Sequence, residues 1–160
     1  MPPFSSSFAI VPLMKSLADI LLAPHHRDEL IAEAATMVEQ HIRQRGGLKG
    51  IGMKTGLSLL KAARPDILER ASARMLPDMV RALQPVYAEF RQSGDGDFAV
   101  FLGKHAGQAV ELMLGVADSK VAASHNGAAK AAYERFRGGA GDELKALLPQ
   151  LGRLVSAYLS

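Results

Sequence analysis

QHIRQRGGLKGIGMKTGLSLLKAARP, residues 40–65, holds six Lys or Arg side chains and no Asp or Glu. The whole chain is +3 and this window alone +6, so everything outside it sums to −3 and the basic character is local. Five glycines, Gly46, Gly47, Gly50, Gly52 and Gly56, lie among the charges. The first two read as the end of a preceding helix. From Leu48 to Ala63, turning about 100° per residue gathers Leu48, Ile51, Gly52, Thr55, Gly56, Leu59, Ala62 and Ala63 on one arc. Met53, Leu57 and Leu60 widen it, and only Lys54, Ser58 and Lys61 form a continuous polar stripe. A helix apolar around most of its circumference belongs inside a protein. The segment is therefore expected to be a largely buried central helix with a narrow exposed seam.

On the N-terminal side, residues 1–11 are rich in Pro and Ser and are expected to be a flexible lead-in, with residues 12–160 forming a single domain. Leu13, Leu17, Ile20 and Leu21 mark a short helix behind Pro12. Pro24 opens a second helix, whose inner face is Leu30, Ile31, Ala34, Ala35, Val38 and Ile42.

On the C-terminal side, Pro65-Asp66 and Pro77-Asp78 read as two successive helix starts, with Pro85 kinking the second helix. Asp97 is the N-cap expected for a helix with Phe98, Phe101, Leu102, His105, Ala109, Leu112 and Val116 on its apolar face. Ala99, Gly103 and Gly107 form a small-residue stripe beside that face, suited to close approach of another small-faced helix. The segment between Ser119 and Arg137, interrupted near Asn126-Gly127, supplies such a face. Gly138, Gly139 and Gly141 then read as a terminator, and Asp142 as the cap of a last helix through Leu144, Leu148, Leu151, Val155 and Tyr158, kinked near Pro149. No segment alternates with a period of two. The fold class expected is all-α, a single bundle of about seven helices.

Composition narrows the function. At 160 residues, with 48% apolar and 22% charged, the chain can bury a self-sufficient core. It contains no Cys, which removes disulfides, thiolate metal sites and cysteine nucleophiles. The apolar patch from Phe8 to Met14 lacks a preceding positive charge and is broken by Pro12, unlike an export signal. No uninterrupted apolar run is long enough to span a bilayer, so a cytoplasmic protein is expected.

The phosphate-binding readings fail on register and context. Gly47 to Gly52 has the glycine spacing of a Walker loop, but Lys54-Thr55 falls one position late and a helix precedes it where a strand is required. Gly50, Gly52 and Gly56 lack the spacing of a dinucleotide fingerprint. Gly52, Gly56, Leu57, Ser58 and Ala62 partly match a helix-turn-helix, yet Leu59 and Leu60 stand where polar base-contacting residues belong. No aromatic residue interrupts the span between His41 and Arg64, so bases have no stacking platform. Weak, salt-sensitive nucleic-acid binding through the six cations is the alternative this leaves.

The five histidines are scattered. His25 and Glu29 stand one turn apart, too few for a metal, and His105 reads as a core imidazole bonded to backbone. Asp95 and Asp97 lack the other ligands of a calcium loop. With no nucleophile motif, an enzyme would need a site assembled only by the fold, and no cofactor or metal is expected.

The reading that remains is a non-enzymatic binding or protein-interaction domain. Its candidate ligand-binding residues are Lys54, Ser58, Lys61 and Arg64, beside a basic segment of Arg43, Arg45 and Lys49. If Glu33 or Glu39 leave the seam charged, it can hold an anionic head group of an amphipathic ligand. The competing occupants are an acidic protein partner and a second copy packed through small-residue helix faces. A ligand site requires a cavity beside Lys54 and Lys61, whereas an interface requires an exposed apolar patch.

Overall fold

Hydrophobic spacing of 3.6 residues per turn emerges as eight α-helices among the described residues, 15–159 of the computed structural model. They are α1 (Leu17–Leu21), α2 (Pro24–Gln44), α3 (Gly47–Ala63), α4 (Ile67–Ala82), α5 (Gln84–Ser93), α6 (Phe98–Lys104), α7 (Ala106–Ala122) and α8 (Gly127–Leu159). The all-α expectation holds. The expected lead-in of residues 1–11 and the start of the first helix at Leu13 lie outside the described residues.

Local chemistry fixes several helix starts. Ser16 and Asp19 form a reciprocal capping box on α1, and the Leu17 amide donates to Gln84 Oε1 at 2.8 Å, tying α1 to the start of α5. Asp97 caps α6 by accepting from the Ala99 and Val100 amides. The helix expected across Phe98–Val116 breaks at His105. Both sides of the break present apolar residues to one core, so periodicity does not reveal it.

Two expected boundaries are absent. Pro77 lies inside α4, because Leu76, Met79, Val80 and Leu83 enter the core on both sides of it. That packing offsets the roughly 3 kcal/mol a proline costs within a helix. Gly138, Gly139 and Gly141 do not end a helix either; α8 runs through them for 33 residues, about 50 Å. An added Cβ on Gly141 would meet Leu114 and Val110 of α7 at ordinary distances of 3.6 and 3.8 Å, so α7 supports the helix there.

The core lies between α8 and an arc of α1, α2, α4, α5, α6 and α7. Leu17, Leu21, Leu30, Val86, Phe98 and Leu102 are its most enclosed side chains. Tyr87, Phe90, Phe98 and Phe101 join α5 to α6 edge to face, with ring centroids 5.2–5.8 Å apart. Of the expected small-residue stripe only Ala99 meets another helix, at Gly152 of α8 rather than in the Ser119–Arg137 segment, while Gly103 and Gly107 are exposed. A Cβ on buried Gly152 would sit 2.9 Å from Ala99 Cα.

Gly52 of α3, by contrast, has none of the described residues outside its own stretch of helix within 4 Å of its Cβ position. Gly152→Ala is expected to lose about 1–2 kcal/mol through overpacking against backbone. Gly52→Ala should gain up to about 1 kcal/mol from helix propensity. Urea unfolding of the two variants checks the opposite signs.

Candidate functional site

The glycine pair lets α3 turn tightly off the end of α2. Gly46 is extended, Gly47 has φ 73°, and a Cβ on Gly50 would sit 2.0 Å from the Arg45 carbonyl oxygen. From that turn α3 packs mainly against α2, with Gly50 and Leu57 buried and Met53, Gly56 and Lys61 partly covered.

The remainder of α3 is outside. Leu48 is 88% exposed, Ile51 61%, Leu59 68% and Leu60 55%. The expected buried central helix is therefore corrected to a peripheral one. The core is closed by the other helices, and α2 alone covers only one side of an apolar arc wider than any single neighbour can bury. Apolar character predicted burial, but among the described residues no other element is placed to supply it.

The candidate cations divide into two groups. Glu39 on α2 accepts from Lys61 Nζ at 2.6 Å and from Arg43 Nη2 at 2.8 Å. Hydrogen bonds from Lys61 and Arg43 hold its carboxyl below the ordinary value of 4.5. Glu143 on α8 gathers three more groups: His41 Nε2 at 2.8 Å, Arg45 Nε at 3.2 Å and Lys49 Nζ at 3.2 Å. Glu143 is 17% exposed. Burial alone would push its carboxyl up, but bonds from His41, Lys49 and Arg45 together outweigh burial and hold it down. Arg43, Arg45, Lys49 and Lys61 are thus committed within the fold. Lys54, Ser58 and Arg64 are exposed, and no carboxylate among the described residues lies within ion-pair reach of Lys54 or Arg64.

Glu39 neutralises part of the seam, while Glu33 instead accepts from the Tyr158 hydroxyl. Glu143 was missed. It stands about a hundred residues from its partners, and no local pattern in the sequence marks it.

One apolar void of about 30 Å³ lies among Leu17, Leu30, Leu76, Met113 and Val155. An open groove of about 380 Å³ lies between α2 and α8, lined by Glu33, Thr36, Met37, Gln40, Gln150 and Leu154. No residue of α3 lines either one. His105 is half-buried, its ring stacked on Phe101 at 4.1 Å. Its Nδ1 is 3.0 Å from the Phe101 carbonyl oxygen, which can only accept, so Nδ1 carries the proton.

Residues 17–159 match the model of a family of unknown function, DUF6918. The chain belongs to that family. The DUF6918 match begins at the first residue of α1 and ends at the last of α8, so α3 and both carboxylate clusters fall inside it. Comparison with curated proteins and with solved structures gave no match. Among the described residues, no helix is long and apolar enough to cross a membrane.

The Glu143 cluster makes a pH-dependent tether. A carboxyl held low in the folded state contributes stability above its unfolded value, and that contribution is lost as pH falls through the folded value. Amide-exchange protection across α3 should therefore be constant near neutrality and fall below about pH 4.5. Glu143→Gln should show the lowered protection already at pH 7, at a cost of roughly 1 kcal/mol.

Proposed function

We propose that the protein is a non-enzymatic interaction domain that docks a protein partner on the outward face of α3. The observation that carries this reading is the exposure of Leu48, Ile51 and Leu59 on one uncharged arc, with Thr55, Ala62 and Ala63 between them. Isolated exposed aliphatics are ordinary, but several on a single helix face form a contiguous patch of the kind that marks interaction sites. Burying three such side chains on association would contribute on the order of 1.5–3 kcal/mol each before ordering costs.

The competing readings draw less support from the same geometry. Glu39 and Glu143 hold four of the six cations and cancel two of the six charges, and the arc beside Lys54 and Arg64 offers bases no aromatic stacking platform, so nucleic acid draws less support. A head-group site centred on Lys54 and Lys61 must share Lys61 with Glu39, and the two cavities described lie elsewhere.

Photo-crosslinking in the native cell tests the proposal. With a photoreactive amino acid at Leu59, a discrete crosslinked species is expected that is absent when the probe is at exposed Gln92 on α5. Equal, diffuse labelling from both positions, or none from either, would count against a docking face on α3.

A further inference from the structure

Charge and surface relief on α3 together point to the chemistry of what it binds. We infer that the partner element is an acidic amphipathic helix that lies along α3, an inference that rests on the docking face proposed above.

Lys54 borders the uncharged arc on one edge, Arg64 stands at its C-terminal end, and neither has a carboxylate within reach among the described residues. The remaining cations near the patch are held by Glu39 and Glu143. An incoming helix therefore meets an apolar strip with two available positive charges, and Asp or Glu beside its apolar stripe completes both. A second copy of α3 is a poorer occupant. It brings the same cations and, between Gln40 and Pro65, no acid with which to pair them.

Relief then separates a helix from an anionic lipid surface, which would also satisfy Lys54 and Arg64. Gly52 and Gly56 occupy the middle of α3, between Leu48 and Ile51 on one side and Leu59 on the other. Beyond the adjacent residues and backbone of α3 itself, neither has a heavy atom of the described residues within 4 Å of its Cβ position. No packing among the described residues requires glycine at these two places, yet each costs helix propensity of about 1 kcal/mol relative to alanine. What the missing side chains create is a shallow saddle between bulky aliphatics. A partner helix can bring its backbone close there and gain packing contacts. Insertion into lipid scales with apolar area, to which glycine adds almost nothing, and this arc carries no aromatic anchor.

The inference is tested by display of tiled peptides from the encoding organism's proteome, selected on the full chain and counter-selected on Leu48→Glu/Leu59→Glu. Both positions are exposed, so the double variant should fold, with a circular dichroism melt as control. The enriched peptides are expected to carry net negative charge with apolar residues at helical spacing, and to bind less tightly as salt rises. For the best synthetic peptide, Lys54→Glu/Arg64→Glu and Gly52→Leu/Gly56→Leu should each weaken binding at least about tenfold.

Enriched peptides that are neutral or basic, or whose binding survives the glycine substitutions, overturn the inference. So does self-association by sedimentation equilibrium that Leu59→Glu abolishes, which makes the occupant a second copy. Binding to phosphatidylglycerol vesicles that Gly52→Leu/Gly56→Leu strengthens makes the occupant a membrane. A crosslink at Leu59 in cells together with non-acidic selected peptides would leave the docking face standing and remove only the acidic helix. Absence of both removes the docking face itself.

Discussion

Glu143 holds the arrangement on which the rest depends. One carboxylate on α8 receives His41 from the end of α2, Arg45 from the junction and Lys49 from the first turns of α3. Charge-assisted bonds to a mostly buried carboxylate fix where the chain leaves α2. Gly47 and Gly50 permit the tight turn, and Glu39 fastens the far end of α3 through Lys61. Held at both ends, α3 can cover only the side that faces α2. Its opposite side is left to solvent as a consequence of the tether.

The same two carboxylates determine what chemistry the surface presents. They hold in place four of the six cations between Gln40 and Pro65, cancelling two of the six charges, and they leave Lys54 and Arg64 beside an uncharged aliphatic face. A segment that reads as a polycation thus becomes, once folded, an apolar strip with a sparse basic edge. Such a surface favours a partner with both apolar and acidic character over a polyanion.

How much of this was legible beforehand follows from the range of each interaction. Amphipathic periodicity and Asp97 capping are local, so the all-helical class and the starts of α2 and α6 could be read directly. Pro77 and the glycines from Gly138 to Gly141 misled because packing by Leu76, Met79, Val110 and Leu114 overrides local propensity there. For α3, composition correctly identified an apolar helix and a Lys54–Ser58–Lys61 stripe, but burial depends on whether another element is available to cover the arc. Glu143 was invisible for the related reason that its partners are distant in sequence. An exposed aliphatic face with unneeded glycines breaks local rules of stability, and such departures concentrate where a protein serves function.

The central claim is that Leu48, Ile51 and Leu59 face solvent in the folded chain while Leu57, on the same helix, does not. Because the protein contains no Cys, single-cysteine variants at these positions can be labelled without background. The rate of thiol modification under native conditions measures exposure directly. The account predicts that Leu48→Cys and Leu59→Cys react near the rate of the denatured chain, and that Leu57→Cys is strongly protected. Equal protection at all of them in a monomeric protein would place α3 in the interior and contradict it.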